Sequence, residues 1–157
     1  MKNLDIICPI EVFDYDELDA TQKQLVDCAK KYTEHSYAPY SHFRVGAAIL
    51  LDNGEIVCGS NQENAAFPSS TCAERTACYY AHSRYPESSF VTIAIAARDT
   101  TGQFIENPIS PCGACRQALL EYETLAKHPV PVLLVGKDKI YRLPSVKSLL
   151  PLAFTEF

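Results

Sequence analysis

This sequence has no excess of positive charge. Its 14 lysines and arginines face 19 aspartates and glutamates across 157 residues, for a formal net charge of -5. A field of that sign does not gather a polynucleotide backbone, so a small ligand is favoured over DNA or RNA. No long apolar run is present, which leaves no segment for spanning a membrane. The opening residues, Met1 to Pro9, include Lys2 and Asp5 and lack the apolar core of a secretory leader. The four histidines, His35, His42, His82 and His128, show no paired ligand spacing. There is no internal repeat, low-complexity segment or linker, and no glycine-rich phosphate cradle or basic cluster beside the motifs described below.

What the chain does have is 47% hydrophobic residues, enough for one well-filled core, so residues 1–157 are expected to form a single domain with 1–16 as a variable N-terminal arm. Seven cysteines without a leader suit a reduced, cytoplasmic compartment, where thiols serve as ligands or as core filler. Leu18, Leu25, Val26, Ala29 and Tyr32 fall on one face of a helix predicted over residues 17–32. Residues 43–51 and 55–59 flank Asp52-Asn53-Gly54 and read as an antiparallel hairpin. Helices are predicted at 72–82 and 112–123, strands at 91–97, 130–135 and 140–143, and a helical turn at 145–150. Two strand-to-helix units in succession imply an α/β sandwich.

Two short elements carry the chemistry. Cys72-Ala73-Glu74 is followed forty positions later by Pro111-Cys112-Gly113-Ala114-Cys115. Three thiols suit a zinc ion that keeps one coordination position open for water, and the carboxylate two residues from the first thiol can carry protons beside it. Both elements fall at predicted helix starts, with Thr71 as the expected cap of one and Ser110-Pro111 as the cap and first position of the other. The positive helix ends then offset the charge of three thiolates. Arg75 can donate to a thiolate, or serve as a surface salt-bridge residue. Thr71-x-x-Glu74 also fits a capping box, and Cys112-x-x-Cys115 also fits a redox pair or half of a closed zinc site. Cys28, Cys58 and Cys78 lie inside predicted elements, where buried cysteine is ordinary.

The pairing of Cys72-x-Glu74 with Pro111-Cys112-x-x-Cys115 is the signature of zinc nucleobase deaminases. With Ser41-His42-Phe43-Arg44-Val45-Gly46-Ala47-Ala48, Asn61-Gln62-Glu63-Asn64-Ala65, Cys112-Gly113-Ala114-Cys115-Arg116-Gln117 and Leu149-Leu150-Pro151, the chain resembles the small, homotetrameric type of cytidine deaminase from about Tyr37 to Phe154. That resemblance implies a three-layer α/β/α sandwich with a mixed five-stranded sheet, and hydrolytic deamination of cytidine and deoxycytidine in pyrimidine salvage. It implies one Zn²⁺ per chain on Cys72, Cys112 and Cys115, with Glu74 moving protons between water, ring N3 and the leaving amine. Phe43 would lie against the pyrimidine, Asn61 and Glu63 would bond the ribose 3′-hydroxyl, and the main chain of Ala73 and Ser110 would read the base edge. Neighbouring chains of a homotetramer would complete each site through Ala65, Phe67 and Phe154.

Two positions depart from the family pattern. Phe67 stands where many relatives have tyrosine, which removes a hydroxyl from the subunit boundary, and Gln62 replaces the usual aliphatic residue. Other readings remain at this level. A blasticidin-type deaminase shares the zinc elements but not the expected sugar clamp. A polynucleotide deaminase would usually place histidine where Cys72 stands. A non-enzymatic zinc module would ligate its metal fully and have no use for Glu74.

Overall fold

The computed structural model describes residues 1–155. A short strand β1 (Glu11–Phe13) precedes helix α1 (Ala20–Tyr32), the hairpin β2 (Arg44–Leu51) and β3 (Ile56–Ser60), and helix α2 (Ala73–Arg84). Strand β4 (Phe90–Arg98), helix α3 (Gly113–Ala126) and strands β5 (Val132–Val135) and β6 (Ile140–Leu143) follow. They build one mixed sheet in the order β1-β6-β5-β4-β2-β3, in which only β4 and β5 run parallel.

The hairpin turns where its sequence demands. Gly54 takes φ 86°, Asn53 Oδ1 accepts the Glu55 amide at 3.0 Å, and Leu51 and Glu55 close the ladder. Period-two alternation then sorts the core onto both faces. Ala48, Ala94, Ala96 and Leu133 face α1, meeting Leu25, Val26 and Ala29, while Ala47, Ile49, Ile93 and Ile95 face α2 and α3. The result is the expected three-layer sandwich. On the α1 side the alanines bring helix and sheet close, and at Gly46 the approach leaves no room for a side chain: a Cβ there would lie 2.2 Å from the Ala29 carbonyl.

The sheet has six strands where five are expected. The extra strand, β1, lies inside the stretch expected to be a variable arm and pairs antiparallel with β6. Three residues are too few for an alternating pattern to show. The strand is held by what it meets: Arg142 Nε lies 2.9 Å from Glu11 Oε2, and Lys139 pairs with Asp14 at 2.5 Å.

The helix caps also differ from expectation. Cys72 and Cys112 are themselves the N-cap residues of α2 and α3, with extended backbones and no side-chain cap bond. Thr71 is unavailable as a cap because its backbone is paired with Gln62, each amide donating to the other's carbonyl at 2.9 Å. Ser110 and Pro111 lie outside α3, so proline is not its first residue. The Thr71-Glu74 capping box does not form.

Candidate active site

Because α2 and α3 begin side by side, their first turns bring three sulfurs together. The Sγ atoms of Cys72, Cys112 and Cys115 all lie within 4.8 Å of one another, with 4.0 Å between Cys72 and Cys112. Among the described residues no fourth histidine, cysteine or carboxylate joins this cluster. Three soft donors and one open position are what a catalytic zinc site requires, whereas a structural site closes with a fourth protein ligand.

Charge at the cluster is managed by its neighbours. Hydrogen bonding from Cys115, then from Arg75 and Cys112, lowers the Cys72 thiol to about 5, while the same contact with Cys72 raises Cys115. Arg75 Nη2 reaches Cys72 Sγ at 3.9 Å. Glu74, in the first turn of α2, is only 5% exposed, and burial holds its carboxyl above the ordinary carboxylate range. Cys58 and Cys78 are each pushed up to about 12, chiefly by burial, as inert core thiols should be.

A cleft of about 590 Å³ opens beside the sulfurs, and Cys72, Arg75, Asn61, Glu63, Phe67 and Tyr40 are among its lining residues. Five expected site residues therefore meet there. Asn61 and Glu63 are two apart on an extended stretch, yet both are already engaged. Asn61 Oδ1 accepts the Val45 amide at 2.8 Å and its Nδ2 donates to the Phe43 carbonyl at 2.9 Å. Glu63 Oε2 accepts the amides of Tyr40 and Ser41 at 2.8 and 3.2 Å, and Oε1 accepts the Ser41 hydroxyl. That hydroxyl, with the two amides, holds the Glu63 carboxyl below its usual range.

The remaining expected residues do not line this cleft. Phe43 immediately precedes β2, and Ala73 is buried as the first residue of α2. Ser110 borders a separate depression, where its Oγ accepts from Arg116 Nη2 at 2.9 Å. Ala65 is exposed in the loop before Phe67, whose ring meets Tyr40 edge-on with centroids 6.0 Å apart. Phe154 is 65% exposed, its carbonyl accepting from Gln117 Nε2 at 2.8 Å on α3. Tyr40 and Ser41 also line the cleft, and no role for either was legible in the sequence. The signal for Ser41 is its place two residues before Phe43, the spacing at which a serine hydroxyl bonds its own main chain.

Residues 19–130, which contain both cysteine elements, match the cytidine and deoxycytidylate deaminase zinc-binding region. The chain belongs to the cytidine and deoxycytidylate deaminase family. It is 41% identical over 134 residues to the cytidine deaminase of Sporosarcina psychrophila, covering 85% of this chain and 91% of that one. The cytidine deaminase of Halalkalibacterium halodurans is 39% identical, with 85% and 94% covered. The crystal structure of cytidine deaminase from Burkholderia pseudomallei superimposes with a TM-score of 0.71 at 38% identity, over 83% of this chain and 97% of that one. For the enzyme from Mycobacterium tuberculosis the TM-score is 0.69 at 30% identity, over 88% and 100%. As in any member of this deaminase family, the cofactor is zinc, and the three-sulfur cluster is the place in this chain that fits it.

Proposed function

We propose that this chain hydrolyses cytidine and deoxycytidine to uridine and deoxyuridine, releasing ammonia. The observation that carries this is the open three-sulfur cluster with a buried carboxyl, Glu74, on the same helix turn and a nucleoside-sized cleft beside it. When bound, zinc acidifies water toward neutral pH and so supplies a nucleophile. Glu74 is the group that moves protons: it accepts one from the attacking water and passes it to ring N3, then takes the second from the new C4 hydroxyl and gives it to the amine, which leaves as ammonia as the C4 carbonyl forms and the C–N bond breaks. Burial suits it to this task, because it holds the carboxyl above its ordinary range and so makes it a better proton acceptor than an exposed carboxylate.

The proposed placement of the substrate is supported by Asn61 and Glu63, which line the cleft. Phe43 supports the pyrimidine face, the main chain of Ala73 and Ser110 reads the base edge, and Asn61 with Glu63 receives the ribose 3′-hydroxyl. Glu63 Oε1 has a lone pair beyond the one that Ser41 uses, and Asn61 Nδ2 has a second proton, so both can accommodate a hydroxyl without giving up their present bonds.

The assembly is proposed as a homotetramer, in which Ala65, Phe67 and Phe154 of neighbouring chains close each cleft. Support comes from the exposure of Phe67, at 71% on the wall of the cleft, and of Phe154, at 65%. Residues 1–157 act as one catalytic domain, cytoplasmic and serving pyrimidine salvage. No helix among the described residues is long and apolar enough to cross a membrane.

Ammonia release from cytidine, deoxycytidine and cytidine 5′-monophosphate by the zinc-loaded protein tests this function. Both nucleosides should turn over and the phosphate ester should be refused, since among the described residues no basic cluster faces the cleft beyond Arg75. Failure to release ammonia from either nucleoside would overturn the assignment.

A further inference from the structure

Ser41 occupies a position that the proposed function does not use. Its Oγ donates to Glu63 Oε1 and accepts the Phe43 amide at 3.0 Å. His42, between them, takes φ 57°, folding the chain so that the serine hydroxyl turns back onto Phe43. Phe43 is fastened a second time, its carbonyl accepting Asn61 Nδ2 at 2.9 Å. One chain of hydrogen bonds therefore runs from Glu63 through the Ser41 hydroxyl into the Phe43 backbone and on to Asn61. Its members are the residues assigned to the sugar and to the pyrimidine face.

The geometry points to Ser41 as a positioning residue that holds the sugar-binding carboxylate and the base-supporting ring in one fixed relation, and so sets selectivity for the 3′-hydroxyl. The physical reason is directional. A carboxylate on a loop can rotate about its last torsion, and the two amide bonds to Oε2 fix that oxygen alone. The serine hydroxyl fixes Oε1, so the remaining lone pair, on that oxygen, faces one direction. Because Ser41 Oγ also accepts the Phe43 amide, a shift of the carboxylate is felt at the residue that carries the ring. A serine acting only as loop filler would have no such coupling. This inference rests on the proposed deamination of nucleosides and adds to it a determinant of sugar recognition.

The test compares wild-type, Ser41→Ala, Ser41→Thr, Glu63→Gln and the double variant Ser41→Ala/Glu63→Gln as zinc-loaded proteins, with 2′-deoxycytidine and 3′-deoxycytidine as substrates. Loss of a hydrogen bond to a charged group should lower kcat/KM for 2′-deoxycytidine roughly tenfold in Ser41→Ala, mainly through KM. The preference for 2′-deoxycytidine over 3′-deoxycytidine should fall toward unity. Ser41→Thr, which keeps the hydroxyl, should restore both. In the double variant the effects should be strongly sub-additive, because Ser41 acts through Glu63. An undiminished 2′-deoxy over 3′-deoxy preference in Ser41→Ala, or additive losses in the double variant, would overturn the inference. If Ser41→Ala does not fold, the Ser41→Thr and Glu63→Gln arms still decide it: a threonine enzyme with lost sugar preference, or a glutamine enzyme with full preference, is incompatible with the network. Absence of turnover in the wild-type protein would instead count against the proposed function.

Discussion

Arg75 Nη2 reaches Cys72 Sγ at 3.9 Å from three residues further along α2, and the buried Arg75 Nε has no hydrogen-bond partner among the described residues. A guanidinium beside the sulfurs of Cys72 and Cys115 withdraws charge from them, and thiolate contact in turn holds the arginine protonated. Replacing Arg75 with alanine should leave the metal centre more electron-rich and its water less acidic. The acid limb of the kcat/KM profile should therefore move to higher pH, and zinc should be lost sooner to a chelator. An unmoved profile with unchanged chelator kinetics would reduce Arg75 to a packing role.

Glu74→Gln separates binding from chemistry. The amide keeps the shape of the side chain but cannot carry a proton, so zinc content and folding should be unchanged while kcat falls by roughly 10²- to 10⁴-fold, the usual contribution of a positioned proton carrier. Zinc by elemental analysis and turnover by ammonia release provide the two readouts. Turnover within a factor of a few of wild type would remove Glu74 from the chemistry.

Glu123 has a different task from Glu74, although both are buried acids. It lies on α3 at 9% exposure, and its oxygens accept the amides of Val130, Val146 and Lys147 and the Ser145 hydroxyl, at 2.8, 2.7, 3.2 and 2.7 Å. Those bonds tie α3 to the approach to β5 and to the 3-10 turn Val146–Leu149. Glu123→Ala would leave buried amides without acceptors, so a loss of about 3 kcal/mol in urea unfolding is expected. A loss below about 1 kcal/mol would mean that water or another group replaces the carboxylate.

Phe154 tests the shared-site assembly. If its ring completes a neighbouring cleft, Phe154→Ala should raise KM or loosen the oligomer, although the residue is 39 positions beyond the last zinc ligand. Light scattering at assay concentration, with kinetics on the same samples, is the check. A fully active monomer would contradict the homotetramer.

The zinc centre was legible in the chain because its ligands need only spacing. A helix turn separates Cys112 from Cys115, and each cysteine element opens its own helix, so local structure almost completes the geometry. The hairpin was legible for a similar reason: Asp52-Asn53-Gly54 demands a turn whatever surrounds it. Membership of the deaminase family followed from these local features joined together.

Tertiary structure alone decided the rest. Nothing in Glu11-Val12-Phe13 marks a strand, because its pairing depends on the free edge that β6 presents, on Arg142 within that strand and on Lys139 just before it. Thr71 has the chemistry of a helix cap, yet a backbone pairing with Gln62 removes it and leaves the cap position to Cys72. Most telling are Asn61 and Glu63, whose same-face placement follows from strand geometry while their partners do not. Val45, Phe43, Ser41 and Tyr40 lie some 16 to 23 residues away in sequence, and only the folded sheet sets them within hydrogen-bond reach. Residue type and spacing thus determined which atoms of this protein can do chemistry. Long-range packing determined what those atoms touch, because hydrogen bonds across a sheet are set by register and not by local order.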